Sequence, residues 1–161
     1  MSLHHMLRAA TPKTKKSTLI AVATSSSPYA HVYPWSSSGF GTKYSGPSTA
    51  IPGTARGVAF NPTSTAIAIT SDSSKYLVAY EWTSSGFGSQ YATINPLGEF
   101  ARKVTFTPSG NAIAFTFSGL NPFVYVFPFS TSSGFSAKYS NPSTQPGDIC
   151  SGVTFSPAGT A

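Results

Sequence analysis

The chain has 161 residues, a net charge of +6 and only 9% charged residues, against about 25% in an ordinary soluble domain. Its single cysteine, Cys150, excludes an intramolecular disulfide and a Cys-rich zinc site, and no apolar run approaches the ~18 residues of a membrane-spanning helix. Gly, Pro, Ser and Thr are abundant and 14% of residues are aromatic, a composition of short strands joined by many turns rather than of helices.

In chain order, residues 1–17 come first as a basic arm. It holds Arg8, Lys13, Lys15 and Lys16 and no acid, while the rest of the chain is nearly neutral. The arm shows no apolar core followed by a small-residue cleavage site, so no secretory signal is read from it. "TLIAVAT" (18–24) is a β-strand pattern, and "YAHVYPW" (29–35) is a second strand with Tyr29, His31, Tyr33 and Trp35 alternating onto one face. "SSSGFG" then reverses the chain. "GVAFNPTSTAIAIT" (57–70) reads as two strands about an Asn-Pro turn, "KYLVAYEW" (75–82) as the next, and "GSQYATI" (88–94) as an outer one. "VTFTPSGNAIAF" and "FVYVFPF" repeat the sequence of events, and "VTFSPAGTA" begins it again at the end of the chain.

The period is plain. Gly39, Gly86 and Gly134 are 47 and 48 residues apart, as are Tyr44, Tyr91 and Tyr139, and Phe60, Phe106 and Phe155 are 46 and 49 apart. Four short antiparallel strands per repeat of this length match the blade of a β-propeller, and no window carries the 3.6-residue apolar spacing that helical repeats need. The strands ending in Trp35, Trp82 and Phe129 are apolar on both faces, as a blade sandwiched between two others requires. The expected fold is therefore an all-β propeller of four-stranded blades of about 47 residues, three blade-equivalents per chain. The boundaries are a basic arm at 1–17, then repeats at about 18–56, 57–103 and 104–151, with 152–161 completing a composite blade.

"GVAFNPTSTAIAIT…KYLVAYEW" and "VTFTPSGNAIAF" resemble the WD-repeat pattern, in which a V-x-F-S-P-D-G hairpin leads to a small-residue strand and then to one ending in an aromatic. The family's Gly-His pair is absent, and its Trp-Asp ending is replaced by "YPW", "YEW" and "FPF", so the family's buried Asp-His-Ser-Trp network is not implied. "SPYAHVYPWSSSGFGTKYSGPST" also resembles divergent propeller repeats of bacteriophage-encoded proteins, which would imply a virion location, with the cytoplasm as the alternative. Lectin propellers have blades of similar length.

The strand at 19–23 matches the second strand of a hairpin whose first strand is missing, and the strand at 152–155 matches a first strand whose second is missing. Each would be an exposed apolar edge. Leu19, Ile20 and Val22 of one copy pairing with Val153 and Phe155 of another would close two chains into six blades. The partner expected is thus the chain itself, as a homodimer, or another structural protein; a membrane is not expected, nor nucleic acid.

Clustered titratable groups are scarce. Four acids (Asp72, Glu81, Glu99 and Asp148) and three histidines are all the chain offers, His31 aligns with Val78 and Tyr125, and no nucleophile-base pairing is visible. The expectation is a non-catalytic structural or interaction propeller, without cofactor or metal, docking through Arg8, Lys13, Lys15 and Lys16. The alternatives are a carbohydrate-binding propeller stacking sugars on Trp35, Trp82 and Phe129, and a segment of a longer propeller array. The turn residues Gly39–Phe40, Gly86–Phe87 and Gly134–Phe135 are expected at backbone positions that a side chain disfavours.

Overall fold

The computed structural model describes residues 18–73, 76–94, 100–119 and 123–157. The arm residues Arg8, Lys13, Lys15 and Lys16, and Glu99, lie outside them. Three antiparallel sheets follow one another along the chain. The first holds β1 (Thr18–Ala23), β2 (Ala30–Ser36) and β3 (Gly39–Phe40). The second holds β4 (Ala55–Phe60), β5 (Ala66–Ser71), β6 (Leu77–Thr83) and β7 (Gly86–Gln90). The third holds β8 (Phe100–Phe106), β9 (Ala112–Ser118), β10 (Val124–Ser130) and β11 (Gly134–Phe135). Each sheet is a meander whose strands pair in sequence order.

The same register recurs in all three, with Leu19 opposite Pro34, Ala66 opposite Glu81 and Ala112 opposite Pro128. Side chains fix the hairpins that precede the central strands. Asn61 Oδ1 accepts from the backbone N–H groups of Thr65 (2.8 Å) and Ala66 (2.9 Å). In the third sheet Thr107 Oγ1 does the same for the N–H of Ala112 (3.1 Å). Each bond satisfies a turn donor that has no strand partner, which is how short polar side chains define turns.

The outer strands are shorter than the expected 88–94 strand. β7 ends at Gln90, and β3 and β11 are two residues long. Gly39, Gly86 and Gly134 have φ of +98°, +112° and +75°, in the range that favours glycine, and the chain reverses there. A later bond ties it back, because the N–H groups of Tyr44, Tyr91 and Tyr139 donate to the carbonyls of Val32, Ala79 and Val126.

The sheets stack face to face through two apolar clusters. Ala30 and Val32 of β2 pack with Ile67, Ile69, Val78 and Tyr80 of the second sheet. The opposite face of that sheet, with Ala66, Ala68, Leu77 and Ala79, packs on Phe115, Tyr125 and Phe127 of the third. Each junction is sealed by a tyrosine from the preceding repeat. Tyr44 meets Trp82 edge-on at 5.1 Å between centroids, beside Phe60 and Phe87, and Tyr91 meets Phe129 at 5.2 Å, beside Phe106 and Phe135.

The segment 152–155, expected as a strand, is not in one. Its sequence matches β4 and β8, but no strand corresponding to β5 or β9 lies beside it among the described residues, and a lone extended segment leaves its backbone groups unpaired.

Candidate functional site: the basic inner edge

The three sheets fan out from an edge where β4 lies against β8. The approach is close. A Cβ on Gly57 would stand 2.7 Å from the Arg102 carbonyl oxygen and 3.0 Å from the Lys103 Cα, so only glycine fits there. The Thr70 hydroxyl bridges the two strands, donating to the Arg102 carbonyl at 3.1 Å. At the far end Pro62 of one hairpin meets Gly110 of the next, so β4 and β8 run side by side in the same direction.

Both strands carry a bulge at their start. Pairing of β4 with β5 shifts between Ala55 and Gly57, and pairing of β8 with β9 shifts between Ala101 and Val104. A bulge leaves its extra residues outside the ladder and turns their side chains away from it. The residues within the two shifts are Arg56, Arg102 and Lys103, all exposed. Arg56 donates to Asp72 Oδ2 at 2.8 Å, while among the described residues Arg102 and Lys103 have no ion-pair partner. Three cations and one carboxylate thus lie on adjoining strands at one end of the inner edge, in chain segments some 46 residues apart. The other end, with Thr63, Ser64, Thr65, Ser109 and Asn111, carries amides and hydroxyls only.

The residues singled out in the sequence lie elsewhere. Trp82 and Phe129 are 7% and 4% exposed, packed among the rings of their junctions, and Trp82 also lines a cavity with Leu19, Tyr44, Ser64 and Thr65. Trp35 is open at 43% and has Phe40 against it at 4.9 Å. Leu19, Ile20 and Val22 lie on β1, and Val153 and Phe155 in the unpaired C-terminal segment. Phe87 and Phe135 are junction residues, and Phe40 is 61% exposed. Among the described residues no group of three His, Cys, Asp or Glu side chains is arranged to hold a metal. Sequence reasoning passed over Arg56, Arg102 and Lys103, and named Asp72 only among the chain's four acids. The available signal was phase, since "ARG" at 55–57 and "ARK" at 101–103 both precede the Val-x-Phe of an inner strand.

No family model matches the chain, and no curated protein matches it. Solved structures do. A protein from Lactobacillus plantarum superimposes with a TM-score of 0.59 at 13% identity, over 82% of this chain and 43% of that one. A candidate 6-phosphogluconolactonase from Bacteroides uniformis superimposes with a TM-score of 0.50 at 16% identity, over 71% of this chain and 37% of that one. The fold is a partial β-propeller. Its sheets are the blades, β4 and β8 the inner strands, and this chain spans under half the length of either neighbour.

The likeness corrects two expectations. The non-catalytic structural role, and with it the exclusion of enzymatic activity, is overturned, because a propeller that matches these blades is a candidate lactone hydrolase. Scarcity of titratable groups misled the reading. A ring collects its axial side chains from many blades, so three blades need not carry a whole constellation. Neither the virion setting nor the phage-type kinship has support, and the sugar-stacking alternative fares no better.

Proposed function

We propose that the basic inner edge binds a small anionic sugar derivative, of the phosphorylated sugar-lactone class that the Bacteroides uniformis protein's name implies, as part of a hydrolytic propeller. The observation that carries this reading is the pair of in-phase bulges that bring Arg56, Arg102 and Lys103 together. Guanidinium groups match phosphate and carboxylate oxygens two at a time, and a lysine adds a mobile point charge. In this reading Arg102 and Lys103 take the phosphate. Hydrolysis adds water to the lactone carbonyl, breaks the ring C–O bond and leaves a carboxylate and a hydroxyl. Asp72, held by Arg56, is the carboxylate available to take the proton from that water. The WD-repeat-like hairpins are, in the same reading, the scaffold that sets the bulges in phase.

The test is hydrolysis of 6-phosphogluconolactone by the 161-residue chain, followed by proton release, beside binding of 6-phosphogluconate measured by NMR. Joint Arg102→Ala and Lys103→Ala substitution is expected to weaken binding about tenfold or more. Asp72→Asn is expected to slow turnover while leaving phosphate-dependent binding in place. Equal handling of the phosphorylated and unphosphorylated lactone, or no binding of either, overturns the reading.

A further inference from the structure

The basic inner edge takes its charges from two blades, so one bulge has to be set against the other. The shift in β8 runs from Ala101, opposite Phe117, to Val104, opposite Phe115, and the peptide joining Arg102 to Lys103 falls inside it. A bulge disrupts the regular ladder, so the ladder alone does not fix how that peptide is turned. A peptide group is planar. Fixing its carbonyl oxygen therefore fixes the plane that carries both the Arg102 and the Lys103 Cα atoms, and with it the direction in which the two side chains leave the strand.

That oxygen is held from the second blade. Thr70 is 0% exposed near the end of β5, two residues before Asp72. Its hydroxyl donates to the Arg102 carbonyl at 3.1 Å and stands 3.4 Å from the carbonyl of Gly57, the residue that closes the shift in β4. One hydroxyl thus lies between a carbonyl of each bulge. Gly57 completes the contact, since a Cβ there would stand 2.8 Å from Thr70 Oγ1 as well as against the Arg102 oxygen. Only a residue without a side chain lets hydroxyl and carbonyl meet.

Thr116, the counterpart of Thr70 on β9, is an internal comparison. It is 1% exposed, and among the described residues its hydroxyl has no partner. The position therefore finds no good acceptor within its own blade. Thr70 finds one because the Arg102 bulge stands across the junction. Packing alone would be served by valine, which has nearly the same shape and no polar group to bury.

We infer that Thr70 is a positioning residue of the basic inner edge: its hydroxyl, from the second blade, holds the Arg102–Lys103 peptide of the third so that both cations face one anion. Thr70 touches no ligand and acts only through the bulge. The effect on binding rests on the function proposed above, whereas the hold on the bulge does not.

The experiment compares Thr70→Ser with Thr70→Ala, which both lack the methyl group and differ only in the hydroxyl. Melting curves check that each is folded. In NMR titrations with 6-phosphogluconate, Thr70→Ser should bind within about twofold of the wild type and Thr70→Ala about fivefold more weakly. Thr116→Ala should bind as the wild type does. In the Arg102→Ala/Lys103→Ala background the difference between Thr70→Ser and Thr70→Ala should vanish, whereas a loss caused by looser packing would persist. Without ligand, relaxation of the Lys103 amide should show added mobility in Thr70→Ala and not in Thr70→Ser. If the wild type binds no 6-phosphogluconate but the Lys103 difference is present, the proposed function falls and the hold on the bulge stands. Equal relaxation at Lys103 in the two variants, equal binding by them, weaker binding by Thr116→Ala, or a difference that survives in the doubly substituted background overturns the inference.

Discussion

The first and second blades share strand register, yet their burial differs throughout. On β6 Leu77, Val78, Ala79 and Tyr80 are all 0% exposed, so both faces are closed. On β2 one face is closed and the other is not. Ile69 is 0% exposed where its counterpart Val22 is 41% exposed, and Trp82 is 7% exposed where Trp35 is 43%. Similar side chains at similar positions thus contribute differently because of what stands beside the blade. In a stacked array, stability comes from the blade plus its interfaces, and the first blade has one interface where the second has two.

The largest contrast should come from the tryptophans. Trp82→Ala empties a closed aromatic junction and should cost about 3–5 kcal/mol in urea unfolding. Trp35→Ala should cost under about 1 kcal/mol by the same measurement. Equal costs would break the comparison. Next come Ile69→Ala, at about 2–5 kcal/mol, and Val22→Ala, at under about 1 kcal/mol by the same measurement. Gly86→Ala and Gly39→Ala share a positive φ, so both lose about 1–2 kcal/mol, but only Gly86→Ala also pushes on a tyrosine and should lose about 1 kcal/mol more.

The second blade should also show a pH dependence. Burial pushes the Tyr80 hydroxyl up to about 12, against a hydrogen bond from Gln90 that acts in the other direction. The folded state then holds the proton where the unfolded state has released it. The contribution of Tyr80 is complete below pH 10 and is lost as pH rises towards about 12. Thermal melts should fall across that window, and Tyr80→Phe, which keeps the ring and removes the titrating group, should flatten the fall.

Much of the fold was legible because a repeat imposes itself at many positions. Gly39, Gly86 and Gly134 kept one phase, and the alternating aromatics of the third strands marked faces that had to be covered. The candidate site was not legible, because it depends on irregularity. A one-residue shift in pairing at Ala55–Gly57 leaves no mark on apolar periodicity, and an arginine near a strand start reads as solvated surface until a second blade places its own beside it. The length of the outer strands was hidden for a similar reason. "GSQYATI" has strand chemistry through Ile94, but past Gln90 only single bonds, from the N–H groups of Tyr91 to Ala79 and of Ile94 to Leu77, hold it to β6. The reach of function was misjudged through a count of acids, although one carboxylate at a basic mouth is enough to alter what that mouth can do.

The common direction of β4 and β8 makes the two ends of the inner edge unlike. The bulges of β4 and β8 with their cations fall at one end, and the hairpins of threonine, serine and asparagine that follow these strands at the other. Each added blade of this kind would lengthen the same electrical contrast rather than cancel it, as antiparallel neighbours would. Such a body has a front and a back, so an anion diffusing towards it from the basic side is drawn in by a field that it does not meet from the hydroxyl side.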